Sequence, residues 1–443
     1  MGSEKGKSAQ GGVDRSEPPV RALVLHPDLK KKQQSRTADA RLDEAVGLSQ
    51  AINLELIHYE VVPVARPKPA TLFGQGVVER FHDFAETHEI DLVVVDTALT
   101  PVQQRNLERE WHCKVIDRTG LILEIFGERA RTKEGKLQVD LAQLNYQRSR
   151  LVRSWTHLER QRGGAGFMGG PGERQIELDR RMIDDRIVRL KSDLEQVKRT
   201  RELHRSARKK VPFPIVALVG YTNAGKSTLF NRLTQSDVFA QDLLFATLDP
   251  TLRRVALPSG REIILSDTVG FISDLPTDLI AAFRATLEEV LEADILIHVR
   301  DVSHEDTEAQ KEDVRAVLRD LKLDEQIQQE MLEAWNKLDL VGDEERPVLE
   351  SLAARDEQVM MCSAVTGEGT DALLDRIETI LDSKNFHVEY LVPYAQGAAL
   401  SWLYENGTVL EQEHREEGVL ISLSLPQSAI DRCETRFALK PVE

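Results

Sequence analysis

The sequence predicts an α/β protein of several domains, in which a long helical hairpin separates two regions of alternating strands and helices. Three observations support this fold class. The chain has 443 residues, enough for two to four domains of ordinary size. Short apolar runs alternate with helical patterns in residues 21–131 and again from residue 215, as is typical of parallel sheets covered by helices. Two heptad-like helical patterns lie between them.

The first α/β region is predicted from three apolar strands and two helices. Strands are expected near 22–25, 55–62 and 91–96, and helices near 37–52 and 75–88. We therefore expect a small, largely parallel sheet. No catalytic triad, metal cluster or glycine-rich phosphate loop stands out in this region.

The hairpin is predicted from its apolar spacing and its turn. The apolar positions of both helices have heptad-like spacing. They are Leu141, Leu144, Leu151, Trp155 and Leu158, spaced 3, 7, 4 and 3 apart, in the first helix, and Ile176, Ile183, Ile187, Leu190, Leu194 and Val197, spaced 7, 4, 3, 4 and 3 apart, in the second. Residues 163–172 hold six glycines and a proline, which cannot continue a helix, so the chain turns back. Arginines are expected on the outer faces, at Arg148, Arg150, Arg153, Arg160, Arg162, Arg180, Arg181, Arg186, Arg189 and in the run 205–210.

Charge is divided unevenly along the chain. The whole sequence has a net charge of −16, but residues 1–210 hold 38 basic and 31 acidic groups, and residues 211–443 hold 20 and 43. Residues 141–210 alone hold 18 basic and 9 acidic groups. Two interpretations are open: a solvated helix face, or a surface that meets a polyanion such as RNA.

Composition excludes several protein classes. Aromatic residues make up only 5%, which argues against a surface that binds single strands mainly by stacking. Residues 1–20 lack the apolar stretch of a signal peptide and are expected to form a disordered tail, and no run of 18 apolar residues occurs. Three scattered cysteines predict neither a disulfide framework nor a zinc site. We expect a cytoplasmic protein without membrane insertion, and a monomer.

A nucleotide site is predicted after the apolar strand 215–219. The strand leads into a glycine-rich phosphate loop and then a helix, the context that such a loop requires. Backbone N–H groups of the loop surround phosphates, Lys226 reaches the β and γ oxygens, and the Ser227 hydroxyl can ligate Mg²⁺. The expected nucleotide-binding residues of this loop are Gly220, Tyr221, Thr222, Asn223, Ala224, Gly225, Lys226, Ser227 and Thr228.

Three further motifs follow the phosphate loop, at residues 267–270, 336–339 and 363–364. Asp267, Thr268, Val269 and Gly270 end a strand, where Asp267 can hold Mg²⁺ through water and the Gly270 N–H can meet the γ-phosphate. A base pocket is expected from Asn336, Lys337, Asp339, Ser363 and Ala364. Since a carboxylate only accepts hydrogen bonds, Asp339 suits the N1–H and N2–H₂ donors of guanine, which indicates GTP rather than ATP.

These motifs complete the predicted architecture. It is an α/β fold in which a P-loop GTPase domain, residues 211–384, is preceded by a small α/β domain, 21–140, with the long helical hairpin, 141–210. A small α/β C-terminal domain, 385–443, follows it. The C-terminal domain shows no candidate site residues.

The chain resembles the HflX family of translation-factor-class GTPases, in the Obg–HflX superfamily. The resemblance covers about residues 21–427. It rests on Phe245-Ala-Thr-Leu-Asp-Pro-Thr251, on Gly170-Pro-Gly-Glu173 at the hairpin tip, and on Val115-Ile-Asp-Arg-Thr-Gly120 and Glu134-Gly-Lys-Leu-Gln-Val139.

The resemblance implies a function and further site residues. HflX-like proteins bind the large ribosomal subunit, are stimulated by it to hydrolyse GTP, and separate stalled or idle ribosomes into subunits. It implies that Thr247, flanked by Phe245 and Ala246, closes on Mg²⁺ and the γ-phosphate. The residues expected to act in hydrolysis are then Lys226, Thr247 and Gly270, and those that hold Mg²⁺ are Ser227 and Thr247. The rRNA contact is expected through the hairpin 141–210.

Two residues sharpen the expected mechanism. Phe271 follows Gly270 where many GTPases place a water-orienting Gln, and an apolar ring cannot orient the attacking water. We expect slow intrinsic hydrolysis and a partner that completes the site, unless Phe271 packs in the core and another side chain replaces it. Asn223 occupies the position that resembles the K⁺-binding position of potassium-activated GTPases.

Two alternative functions stay open. The protein could be a GTP-gated module that acts by occupying RNA or the ribosome and hydrolyses GTP only to reset. It could also be an NTP-driven RNA-remodelling enzyme that uses the N-terminal α/β domain as a second nucleotide site, although residues 21–131 contain no phosphate loop.

Overall fold

The computed structural model describes residues 19–29, 36–161, 171–208, 213–235, 244–245, 250–273, 290–321, 323, 330–383, 385–425 and 427–442. These residues confirm the predicted fold class. The chain divides into two compact units, residues 1–124 and 125–443.

The first unit contains a four-stranded sheet in which every pair of neighbouring strands is parallel. Its strand order is β2-β1-β3-β4, so the chain reverses its winding direction between β1 and β3. The apolar core includes Leu23, Leu25, Val93 and Val95. The strands are β1 (Arg21–Leu29), β2 (Glu55–Val64), β3 (Leu92–Val95) and β4 (Lys114–Asp117).

Helices fill the connections between these strands. Thr37 caps the first helix through its hydroxyl, which accepts from the Ala40 N–H, and Thr100 forms a capping box with Gln103 at the third. The helices are α1 (Ala38–Gln50), α2 (Gln75–Thr87), α3 (Pro101–Trp111) and α4 (Arg118–Arg129), the last of which continues into the second unit.

Two long helices form the predicted hairpin. They are α5 (Lys133–Gln161) and α6 (Pro171–Arg208). Leu144, Ile187 and Leu190 are buried between them, in agreement with the predicted apolar spacing. The tip residues 163–170 lie outside the described part of the chain.

The P-loop domain is built on a six-stranded sheet of order β10-β9-β8-β5-β7-β6. Only the edge pair β6–β7 is antiparallel among the described strand pairs of this sheet. The strands are β5 (Ile215–Gly220), β6 (Thr251–Ala256), β7 (Glu262–Asp267), β8 (Ile295–Asp301), β9 (Leu332–Asn336) and β10 (Val359–Met361). The helices are α7 (Lys226–Thr234), α8 (Thr307–Asp320), α9 (Arg346–Ala353) and α10 (Thr370–Ser383), with a 3-10 turn at Leu338–Leu340.

This topology determines where the predicted motifs lie. Strands β5, β7, β9 and β10 are parallel, so their carboxyl ends meet at one edge of the sheet. Each of these strands ends at one of the four motifs found in the sequence.

The C-terminal region forms an antiparallel sheet of order β11-β13-β12. Tyr390, Leu403, Ile421 and Cys433 belong to its core. Its elements are β11 (Phe386–Val392), α11 (Gly397–Asn406), β12 (Thr408–Arg415), β13 (Gly418–Leu425) and α12 (Gln427–Phe437), with a 3-10 turn at Tyr394–Gln396. Among the described residues, every helix of the protein is too short or too polar to cross a bilayer.

Candidate nucleotide site

The phosphate loop connects β5 to α7, and two of its glycines are required by close contacts. Gly225 has φ +90°, and a Cβ there would lie 2.2 Å from Asn336 Nδ2. A Cβ on Gly220 would lie 2.3 Å from the Val299 carbonyl oxygen. The loop can therefore pass this close to its neighbours only with glycine at both positions.

Lys226 begins α7 and is buried at the centre of the loop. Its Nζ donates to the Gly220 and Tyr221 carbonyl oxygens, at 3.1 and 2.7 Å. Burial lowers the pKa of Lys226 to about 8, while the nearby Asp267 carboxylate acts in the opposite direction. A negatively charged phosphate beside this ammonium would stabilise its charged form.

The hydroxyl and carboxylate expected at the metal site are in contact. Ser227 Oγ donates to Asp267 Oδ2 at 2.7 Å, although the two residues are 40 positions apart. Thr228 follows in the first turn of α7. Thr268 is fully buried, and its hydroxyl donates to the Leu218 carbonyl at 2.6 Å, which fixes the chain after β7 against β5. Mg²⁺ prefers oxygen ligands such as hydroxyls and carboxylates, so the Ser227 hydroxyl and the Asp267 carboxylate fit the ion.

The segment after β7 lies directly on the phosphate loop. A Cβ on Gly270 would lie 2.8 Å from Thr222 Cγ2 and 3.1 Å from Lys226 Nζ, so only glycine permits this approach. Val269 is buried beside it. The Thr222 N–H donates to the Phe271 carbonyl at 2.8 Å, and the Phe271 N–H donates to the Gly220 carbonyl at 3.1 Å.

Phe271 is buried, with 1% of its surface exposed. Its ring packs in the core, which was one of the two possibilities for this residue, and it does not face the nucleotide site as a polar water-orienting side chain would. Tyr221 is also buried, and its hydroxyl accepts from the Ser273 N–H at 2.8 Å. The first residues after Gly270 are thus held by backbone contacts and by a tyrosine of the phosphate loop.

Asn336 joins the phosphate loop to the loop after β10, where base-pocket residues are predicted. Its Nδ2 donates to the Ala224 carbonyl and its Oδ1 accepts from the Ala364 N–H, both at 2.9 Å. Ser363 Oγ donates to Asp339 Oδ1 at 2.5 Å. The predicted base-pocket residues Asn336, Asp339, Ser363 and Ala364 are therefore brought together by direct hydrogen bonds.

Lys337 has a partner that lies outside the predicted motifs. Its Nζ lies 2.8 Å from Oδ2 of Asp301, the last residue of β8. Asp301 could have been identified as a candidate because it lies at the carboxyl end of a central parallel strand. The predicted motif residues lie at the same edge of the sheet. This ion pair fixes the lysine beside the base pocket.

Behind this edge, Glu333 of β9 sits in a buried basic cluster. Arg300 Nη1 and Lys311 Nζ each lie 2.7 Å from a Glu333 oxygen. Burial acts to raise the pKa of Glu333, but Lys311 and Arg300 outweigh it and lower the pKa to about 2. His298 lies opposite Glu333 on β8, and its burial lowers its pKa to about 3. The cluster ties together the two strands that deliver Asp301 and Asn336.

The first switch segment is described only at its edges. Phe245 is buried, has φ +57°, and packs edge-on against Phe126 with ring centroids 4.7 Å apart. Ala246 and Thr247, expected at the nucleotide and the metal, lie outside the described residues. Asn223 is exposed at the rim of the loop, also in a left-handed conformation, with φ +60°.

Four family models match the chain in succession. Their descriptions are "GTP-binding GTPase N-terminal" for residues 39–127, "GTP-binding GTPase Middle Region" for 129–208, "50S ribosome-binding GTPase" for 215–337 and "HflX C-terminal domain" for 348–442.

Curated relatives match over most of the chain. "GTPase HflX" of Magnetococcus marinus is 47% identical over 97% of this chain and 98% of its own length. "GTPase HflX" of Escherichia coli is 43% identical, over 88% of this chain and 90% of its own. The crystal structure of SsGBP in complex with GDP is 24% identical, with a TM-score of 0.48, over 82% of this chain and 98% of that chain.

Proposed function

The chain belongs to the HflX family of GTPases and hydrolyses GTP, and on this premise we propose that it separates ribosomes into subunits. In this proposal the protein binds the large ribosomal subunit and its rRNA through the hairpin 141–210, and the ribosome stimulates GTP hydrolysis, which releases the factor. The description "50S ribosome-binding GTPase" of the matching family model supports the choice of partner.

The observation that carries the proposal is the exposed basic face of the hairpin. Residues 141–210 hold twice as many basic as acidic groups, 18 against 9, in a chain whose net charge is −16. On α6 the exposed side chains include Arg180, Arg181, Arg186 and Arg189. Such a surface gains free energy from counterion release when it meets rRNA phosphates.

The hairpin also has internal contacts that limit how much of its charge is free for RNA. Arg148 pairs with Asp184 at 3.3 Å, and the Arg150 guanidinium lies 4.1 Å from the Tyr146 ring centroid. Arg180 of α6 also pairs with Asp184, at 3.9 Å, but Arg148 and Arg150 are half-buried whereas the α6 arginines named above are exposed. We therefore assign the larger share of the rRNA contact to α6.

The nucleotide-binding roles follow the same proposal. Lys226 and the phosphate-loop amides bind the phosphates, Asp339 binds the guanine N1–H and N2–H₂ groups, and Ser227 holds Mg²⁺, with Asp267 acting through water. Mg²⁺ would neutralise charge that develops on the phosphate oxygens. Thr247 would close over the γ-phosphate and Gly270 would donate its N–H to it.

Ribosome stimulation fits the position of Phe271. The buried ring of Phe271 cannot orient the attacking water. In this proposal the ribosome, rather than another side chain of the protein, supplies the group that does, so the isolated protein turns over slowly. A monovalent cation held with the help of Asn223 would supply positive charge near the phosphates. Turnover in KCl and NaCl at equal ionic strength tests this, and equal rates would remove K⁺ from the proposal.

The experiment that tests the function compares the wild type with a variant that lacks residues 163–172. Light scattering follows the loss of intact ribosomes, and nucleotide titration follows GDP binding. We expect the deletion to preserve GDP affinity and to abolish separation. Separation at the wild-type rate by the deletion variant would overturn the role of the tip.

A second arm distinguishes separation from occupancy. With a non-hydrolysable GTP analogue, separation driven by binding proceeds once and then stops, because the factor stays bound. Binding to the large subunit with no loss of intact ribosomes, in GTP as in the analogue, would favour a module that acts by occupancy.

A further inference from the structure

Arg232 connects the helix of the phosphate loop to the loop that recognises the base. It lies in the last turn of α7, and its guanidinium reaches two carbonyl groups about 130 positions away in sequence. Nε donates to the Ala364 carbonyl oxygen at 3.1 Å, and Nη2 donates to the Val365 carbonyl oxygen. Arg232 is exposed, and a Cβ on Gly367 would lie 3.5 Å from its Cζ, so the guanidinium lies on the surface against the same loop.

The two carbonyls belong to the part of the loop that determines base recognition. The Ala364 N–H donates to Asn336 Oδ1, so this residue is held through its N–H by Asn336 and through its carbonyl by Arg232. Ser363, directly before it, donates its hydroxyl to the Asp339 carboxylate. The position of the loop therefore fixes the orientation of the carboxylate that faces guanine.

We propose that Arg232 is a positioning residue for guanine selection. It does not touch the base. Its forked guanidinium holds the Ala364 and Val365 carbonyls, and the loop in turn holds Ser363 against Asp339. The inference rests on GTP as the nucleotide of this site and is independent of any ribosome contact.

The chemistry of arginine explains why this residue type suits the position. A guanidinium presents several N–H donors in a rigid plane and can serve two neighbouring carbonyls at once. A lysine ammonium keeps the charge but is a point donor on a flexible stem, so it holds one of the two carbonyls well. A methionine of similar length keeps the packing and holds neither.

The chain offers a matched control. Arg261 also makes a long-range contact in this domain, with Nη1 3.2 Å from Asp382 Oδ1 of α10, 121 positions away. This pair ties the β6–β7 turn to α10 and includes none of the base-pocket residues. An R261Q variant therefore loses a long-range side-chain contact, as R232M does, without affecting the loop that contains Ser363 and Ala364.

The test measures GDP and IDP dissociation constants for the full-length wild type and the R232M, R232K and R261Q variants. IDP lacks the exocyclic amine that guanine presents to Asp339, so the ratio of the two constants reports on that contact alone. We expect R232M to weaken GDP binding about tenfold and IDP binding about threefold, with R232K between R232M and the wild type. R261Q should leave both constants unchanged.

An R232M variant whose GDP and IDP constants change by the same factor would overturn the proposal, since the residue would then be a general structural tie. A change of the ratio in R261Q as large as in R232M would overturn it too. If thermal unfolding shows that the R232M variant is not folded, the ratio of the GDP and IDP dissociation constants in R232K tests the proposal instead. Failure of the wild type to discriminate GDP from IDP would refute the guanine pocket itself, which distinguishes the two failures.

Discussion

The protein contains one parallel sheet and one that is parallel except at its edge pair β6–β7, and the two use their carboxyl-end edges in opposite ways. In the P-loop domain that edge carries a glycine-rich loop, one buried lysine and backbone N–H groups, an arrangement suited to a polyphosphate. In the first unit the corresponding edge is filled with side chains that neutralise one another. His26 Nδ1 lies 2.7 Å from Asp96 Oδ2, and Arg118 Nη1 donates to Asp96 Oδ1 at 2.7 Å.

The ionic cluster of the first sheet extends to a second carboxylate. Arg118 also pairs with Glu44, which accepts from Arg36 Nη1 at 2.7 Å. All four of these paired side chains, Arg36, Glu44, Asp96 and Arg118, are less than one-tenth exposed. Burial acts to raise the pKa of Asp96, but Arg118 and His26 outweigh it and lower the pKa.

The comparison shows that a parallel sheet does not by itself make a nucleotide site. The second sheet has glycines that let the backbone approach phosphates, and its lysine donates to backbone carbonyls rather than to a carboxylate. In the first sheet the arginines already form ion pairs with buried carboxylates. If these arginines bound a phosphate ligand instead, the buried carboxylates would be left unpaired. We therefore assign nucleotide hydrolysis to the second sheet.

The largest expected effect is that of Lys226→Ala. Removing the ammonium at the phosphates should lower the GTP hydrolysis rate by about 1,000-fold, since a preorganised charge in a buried site contributes several kcal/mol. Phosphate release is measured with GTP and with ATP. ATP turnover that survives in this variant would contradict the assignment and revive an RNA-remodelling enzyme with a second nucleotide site.

Asp96→Ala tests the role of the ionic cluster in the first sheet. It leaves Arg118 and His26 without their shared carboxylate, and we expect a loss of about 3 kcal/mol in the stability of the first unit. Hydrogen exchange of the backbone amides of the first unit, residues 1–124, measures it as a function of urea concentration. GTP turnover by the isolated, folded variant should stay near the wild-type rate; a parallel loss of turnover would mean that the cluster serves the nucleotide site.

Asp339→Asn should change the choice of base. An amide offers a donor where guanine also offers donors, so GDP binding should weaken by about 100-fold. Xanthosine diphosphate, with a carbonyl in place of the amine, should bind the variant more tightly than GDP. Unchanged preference for GDP would place guanine recognition on other residues.

The smallest expected effect is a pH dependence of protein stability that arises from His298 of β8. His298 stays neutral in the folded protein because burial lowers its pKa to about 3, whereas the unfolded chain takes up a proton below about pH 6.5. Stability is therefore lost as pH falls below 6.5, by about 2 kcal/mol between pH 6.5 and 5. Compared with the wild type, His298→Gln should remove this part of the decline in urea unfolding, and identical slopes would contradict it.

Much of the fold and the phosphate loop could be predicted because local requirements decide them. The glycines at 220 and 225, the lysine and the following helix form one continuous stretch, and the heptad spacing of Ile183, Ile187 and Leu190 places them in the hairpin core. These features depend on backbone geometry and periodicity within a few turns.

The remaining contacts depend on the strand order, which the sequence does not contain in local form. Asp301 meets Lys337 because β8 and β9 are neighbours, and Arg232 meets Ala364 because α7 passes beside the loop that follows β10. Glu333 and Arg300 would each be unexpected in a buried strand, and their pairing across β8 and β9 explains both.

In the proposed function, nucleotide bound at the second sheet controls how the basic hairpin binds the large ribosomal subunit. Sucrose-gradient sedimentation with separated subunits, in GTP, in GDP and in a non-hydrolysable analogue, at low and high salt, tests it most directly. We predict co-migration with the large subunit in the GTP-like states, weakened by salt as expected for phosphate contacts. Equal binding in GDP would show that the nucleotide does not control the contact, and binding that is insensitive to salt would show that the basic hairpin does not make it through phosphates.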